Sequence, residues 1–135
     1  GLYEAAMRAA TDYVFADPAR SSKQLACAPQ SATDACVAKV VAAFGRRAFR
    51  RPLTDAEVTR FTGVVSSIAG KPGSSAAAGL RSELNAILQS PNFLYRVELG
   101  VASAADGGKL KYTDFEMASR LAALKPMKVL IVRSQ

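Results

Sequence analysis

The sequence predicts an all-α fold, an irregular bundle of about five helices. Three observations carry that expectation. Successive stretches repeat apolar residues at helical spacing. The helix-opening signature Thr-x-x-Glu occurs at Thr54–Glu57 and again at Thr113–Glu116. Prolines and glycines punctuate the intervals, at Pro18, Pro52, Gly70, Pro91 and Pro126. Half of the 135 residues are hydrophobic, which argues against disorder and is enough for one core.

Taken in order, Leu2 to Phe15 carries Ala, Met, Tyr and Val at helical spacing and reads as one amphipathic, structural helix ended by Asp17-Pro18. Ala19 to Thr33 reads as a polar connection that includes Cys27. A second helix should start at Thr33 or Asp34 and run toward Arg50, because Val37, Val40, Val41, Phe44 and Ala48 share one face. At about 100° per residue, Arg46 and Arg50 point away from that face and Arg47 lies at its edge.

The stretch Phe44 to Val58 organises the rest. Pro52 cannot continue the helix before it and pushes Arg51 out of the helical region, while Thr54 and Glu57 open the next helix. Two helices therefore turn sharply with Arg46, Arg47, Arg50 and Arg51 at the corner. One reading is structural: cations complement the helix C-terminus, and one pairs with Asp55 or Glu57. The other is an anion or partner site, since the guanidinium fork matches carboxylate and phosphate.

The third helix, Asp55 to Ala69, lines up Val58, Phe61, Val64, Val65 and Ile68, and Gly70 to Ser75 breaks it. That loop lacks the Gly-x-x-x-x-Gly-Lys-Ser/Thr order of a phosphate cradle. The fourth helix, Ala76 to Gln89, places Leu80, Leu84, Ile87 and Leu88 on one side. Ser90-Pro91 should then cap a short helix reaching about Leu99. In an unbroken helix Phe93, Leu94 and Val97 would face away from the leucines. Phe93 and Tyr95 read as core rather than as a ligand-facing cluster.

Gly100 to Lys111 reads as a loop, and Thr113 opens a fifth helix with Phe115, Ala118, Leu121 and Leu124, stopped by Pro126. The apolar, β-prone run Met127 to Val132 has no partner strand in view. The expectation is one domain over 1–124 and an unpaired, frayed or partner-dependent tail over 125–135.

The chain has no histidine, which removes a His-dependent triad, a His zinc ligand and the Cys-x-x-Cys-His haem attachment. The two cysteines, Cys27 and Cys36, fit neither a zinc knuckle nor a thioredoxin motif. A disulfide closing the intervening loop is favoured over two buried thiols. Asp55, Glu57, Glu98 and Glu116 could in principle supply acid–base pairs, but Asp55, Glu57 and Glu116 stand where helix starts use carboxylates. No catalytic, cofactor-binding or metal-ligating residue is therefore assigned.

Formal charge is +7 with a pI near 9.8, which fits either a basic soluble surface or attraction to polyanions. No run approaches the roughly 20 apolar residues of a membrane helix, and no signal-peptide pattern stands at the start. Gly1-Leu2-Tyr3-Glu4 runs straight into a helix, so the chain reads as a piece of something longer.

Three blocks in order, Phe44 to Thr54, Ile87 to Glu98 and Tyr112 to Leu121, resemble successive signatures of adjacent helical domains of unknown function. Those domains belong to large exported bacterial proteins of the planctomycete and myxobacterial type. The resemblance covers roughly residues 36–121. It implies fusion to cytochrome-c-like modules, hence haem only in a neighbouring domain, and an envelope or extracellular setting serving electron transfer or polymer degradation. The family offers no catalytic residues to carry over.

After Leu121 the family pattern continues through a Trp-containing helix, whereas here Ala122-Ala123-Leu124-Lys125-Pro126 leads elsewhere. An incomplete module with an uncovered apolar groove and a tendency to self-associate is the expectation. The functional expectation is a non-catalytic interaction or scaffold module whose partners are other domains of its parent protein. Nucleic acid is disfavoured as a partner by the exported setting. The alternatives are polyanion binding through Arg46, Arg47, Arg50 and Arg51, or a fragment of an envelope enzyme.

Overall fold

The computed structural model describes residues 1–25, 27–95, 98–104 and 107–133. It is all-α apart from one small hairpin, as the apolar periodicity predicts. Where the sequence suggests one domain over 1–124, the chain divides into two compact units, Gly1–Tyr95 and Arg96–Gln135.

The first unit holds α1 (Leu2–Phe15), α2 (Pro18–Gln24), α3 (Ala35–Phe49), α4 (Asp55–Ala69), α5 (Ala76–Gln89) and α6 (Pro91–Leu94). Its core is the junction of α3, α4 and α5. Val37, Val40, Val41, Val65, Leu80 and Ile87 are all but fully buried there, each contributing about 1.5–3 kcal/mol over an exposed position. Phe93 packs against this core as expected, while Tyr95 is exposed.

Helix α4 approaches α5 closely because Gly79 has no side chain: a Cβ there would stand 2.5 Å from the Val65 carbonyl oxygen. Helix α1 docks on α5 by polar contacts. The Tyr3 hydroxyl donates to the Leu88 carbonyl at 2.9 Å, and Arg81 lies 3.4 Å from Asp12.

Helices α2 to α5 each start on a polar side chain. Asp34 accepts from the Cys36 amide at 2.8 Å, Ser75 from the Ala78 amide at 3.1 Å, and Thr54 and Glu57 form the expected reciprocal box. Asp17 does the same for α2, accepting from the Ala19 amide at 2.8 Å. This corrects the expected polar connection over 19–33: Asp17-Pro18 ends α1 and also caps α2, with Pro18 at its first position.

Cys27 and Cys36 form a disulfide, their Cα atoms 5.9 Å apart, tying the segment after α2 to the first turn of α3. Ser90 precedes α6, but its hydroxyl donates back to the Ile87 carbonyl at 2.8 Å instead of capping. Helix α6 stops at Leu94, short of the expected Leu99; the expectation for Val97 lies outside the described residues.

The second unit contains β1 (Val101–Ala102) and β2 (Leu110–Lys111), antiparallel with Val101 opposite Lys111, followed by α7 (Asp114–Arg133). The expected loop over 100–111 is thus a short hairpin. Gly100, Gly107 and Gly108 take positive φ at its base and turn. Helix α7 runs through Pro126 rather than stopping there, and the β-prone run 127–132 is helical. Helix formers flank the proline on both sides, and a proline within a helix removes one hydrogen bond and bends the axis without having to end it. The side chain of Leu124 and those after it lie outside the described residues.

Candidate functional site

The arginine corner is built by the end of α3 and the start of α4. Arg50 occupies the C-cap of α3 in the left-handed region, at φ 59° and ψ 21°, which reverses the chain before Pro52. Leu53 then folds back over Gly45, where any side chain would collide with it.

Arg51 meets Glu57 through two parallel hydrogen bonds, Nη1 to Oε2 at 2.8 Å and Nη2 to Oε1 at 2.7 Å. Its Nη1 also donates to the Pro52 carbonyl at 3.0 Å. Glu57 Oε2 additionally accepts from the Thr54 amide at 2.8 Å. The guanidinium hydrogen bonds lead in holding the Glu57 carboxyl far below the usual carboxylate range, down to about 2.

The four arginines do not share one fate. Arg51 is committed to Glu57, one of the two partners, Asp55 or Glu57, expected on the structural reading. Arg47 donates to the Gln24 carbonyl at 3.0 Å, in the last turn of α2, with its guanidinium 5.9 Å from the Phe44 ring centre. Arg46 and Arg50 are exposed, with no ion-pair partner among the described residues. A single convergent anion site at the corner is not what these contacts describe.

The carboxylates considered for acid–base work are engaged as well. Glu116 accepts from the Gly100 amide at 3.0 Å and from the Thr113 amide. These backbone hydrogen bonds, Gly100 first, lower its pKa. Glu98 meets Arg120 at 3.0 Å, and Asp55 is exposed in the first turn of α4. Among the described residues no group of three or more Cys, Asp and Glu side chains is gathered to hold a metal ion.

Sequence reasoning missed Glu83. It lies on α5 one turn beyond Gly79, is 3% exposed, and has no hydrogen bond to its carboxyl from the described residues. Desolvation pushes its pKa up to about 7, and the charge of Arg60 on α4 opposes this only in part. Arg60 stacks over Phe61 at 4.8 Å, Phe61 meets Phe49 edge to face at 6.2 Å, and Arg51 lies 5.6 Å from Phe49. An aromatic pair is thus bracketed by two guanidinium groups, one beside a buried carboxyl and one bound to a partly exposed carboxylate. A carboxyl that titrates near neutrality is the most chemically distinctive group in the unit.

The legible signal was Gly79. Glu83 sits at the edge of the leucine face, and a glycine one turn earlier lets α4 close over that edge.

Residues 36–98 match a family model described as PSD5: Protein of unknown function (DUF1595). This marks α3 to α6, with the arginine corner and Glu83, as a domain of unknown function; the block Tyr112–Leu121 lies beyond the matched residues. No curated protein and no solved structure matches the chain.

Proposed function

We propose that the chain is a non-catalytic helical interaction module within an exported, multidomain, cytochrome-linked protein, binding neighbouring domains of its parent. The observation that carries the interaction role is the apolar surface of the second unit. Leu99, Leu110 and Leu121 are 75%, 72% and 61% exposed, and Tyr112, Phe115 and Met117 are also exposed. On α7, Phe115 falls on the opposite side from Met117 and Leu121, at about 100° per residue. A helix with apolar side chains on opposite sides needs cover from more than one direction.

The disulfide supports the exported setting, because such bonds persist in oxidising compartments. The resemblance to exported proteins fused to cytochrome-c-like modules supports the same setting. No helix among the described residues is long and apolar enough to cross a membrane.

The test is calorimetric titration of the chain with the remaining segments of its parent protein, beside Phe115→Glu and Leu121→Glu variants and sedimentation of the chain alone. Binding or self-association lost in the variants supports the reading. A chain that stays monomeric and binds none of those segments, or one that turns over a substrate with activity lost in Glu83→Gln, overturns it.

A second reading, polyanion binding, is favoured by the charge of +7 and by the exposed Arg46 and Arg50, which have no ion-pair partner among the described residues. It requires affinity for a polyanion such as heparin that falls steeply with salt and is lost in an Arg46→Gln/Arg50→Gln double variant.

A further inference from the structure

We propose that a cavity between α1, α2, α3 and α5 binds a small amphiphilic carboxylate, with an apolar tail of about six carbons inside and its carboxylate on Arg47. The cavity has a volume of about 130 Å³ and is walled by Val14, Phe15, Leu25, Phe44, Leu84 and Leu88. An engineered apolar cavity of about 150 Å³ stays dry and takes up benzene, so this volume suits a ring or a short chain.

The polar atoms nearby offer water little. The single proton of the Thr11 hydroxyl, the buried polar group of the lining, is shared within its own helix between the Met7 and Arg8 carbonyls at 3.1 and 2.9 Å. The Gln24 carbonyl is taken by Arg47. A lining this poor in polar atoms favours an apolar occupant over ordered water.

Arg47 supplies the charge. Its Nη2 is held by Gln24 and its guanidinium faces the Phe44 ring, and both of those residues line the cavity. The guanidinium is therefore held against two residues of the wall, although it is not itself part of the lining; it is exposed and carries no carboxylate partner among the described residues. Its remaining N–H groups form a fork that a carboxylate matches. One of the two sequence readings grouped Arg47 with three other arginines as an anion or partner site; here it acts apart from them, and the cavity adds an apolar half to the ligand.

The experiment is an amide chemical-shift titration of the whole chain with hexanoate, hexanol and acetate. The expected result is saturable hexanoate shifts at Leu25, Phe44, Leu84 and Leu88, and none of these with acetate. Hexanoate affinity should be about three- to tenfold weaker in Arg47→Gln and only partly recovered in Arg47→Lys, which keeps the charge but not the fork, with hexanol affinity unchanged. Ala10→Leu, which fills the cavity from α1, should abolish both hexanoate and hexanol binding.

Acetate binding as well as hexanoate, hexanoate and hexanol binding equally with no effect of Arg47→Gln, or no shifts at the wall residues would each overturn the proposal. The arginine variants decide the matter even if Ala10→Leu fails to fold. The site lies wholly in the first unit, so its failure leaves the reading of the second unit untouched.

Discussion

Arg51 and Glu57 clasp each other in a fork-to-fork pair of 2.7 and 2.8 Å across the bend between α3 and α4, and the same carboxylate caps α4 through Thr54. One side chain thus joins two helices and starts one of them. Glu57 has a folded pKa of about 2 against an ordinary 4.5, so its contribution is fully present above pH 4.5 and lost as pH falls through 2. With the Arg51 side chain 37% exposed, solvent screening brings the contribution to about 1–2 kcal/mol. Glu57→Gln should lower stability by that amount at pH 7, with the gap closing toward pH 2, read from urea midpoints at each pH.

Glu83 should dominate the opposite limb. Its folded pKa of about 7 lies above 4.5, so between those values the folded state keeps a proton that the unfolded state has released. Stability from this group is full below pH 4.5 and falls as pH rises through 7, by about 2–3 kcal/mol. Urea midpoints at pH 5 and pH 8 should differ in the wild type and converge in Glu83→Gln. Equal pH slopes in both proteins would refute an ionisable group buried in that seam.

Arg50 holds a left-handed backbone at φ 59° without being glycine. Arg50→Gly removes the Cβ crowding and should stabilise the protein by about 0.5–1 kcal/mol, after the greater freedom glycine gives the unfolded chain. Thermal melts of the two proteins test this. A loss of stability would mean that the Arg50 side chain contributes more than its backbone strain costs.

The disulfide between Cys27 and Cys36 closes a loop with a sequence separation of 9. Its removal in a Cys27→Ser/Cys36→Ser double variant should cost about 2–3 kcal/mol, from loop-closure entropy restored to the unfolded chain. Reduction of the wild type should lower the melting temperature to that of the variant.

Helices α4 and α5 were legible to the residue, Asp55–Ala69 and Ala76–Gln89, because capping side chains and loop glycines bracket unambiguous apolar stripes. Helix α2 was not, because Asp17-Pro18 has two functions and only its role as a stop shows in the apolar pattern. The hairpin was hidden because strands of two residues have no period, and pairing of Val101 with Lys111 is set by the geometry of the glycine turn between them. Continuation of α7 through Pro126 was hidden because breaking and bending share one residue type.

At the candidate site, clustering of the arginines was visible, as was an ion pair with Asp55 or Glu57, but the partner of Arg47 was not. Arg47 reaches a carbonyl 23 positions earlier, a distance local pattern does not encode. Glu83 escaped notice because a charged residue at the rim of a stripe looks solvated until a neighbouring helix closes over it.

Helix α1 contributes Thr11 alone to the buried residues, packs Phe15 partly against the core, and is tied to α5 by Tyr3 and Asp12. Its amides should therefore exchange with deuterium long before those of α3, α4 and α5, in a local opening far short of global unfolding. Because α1 forms one wall of the apolar cavity, each such opening would also dismantle that wall, so any guest seated there should slow deuterium uptake in this one helix.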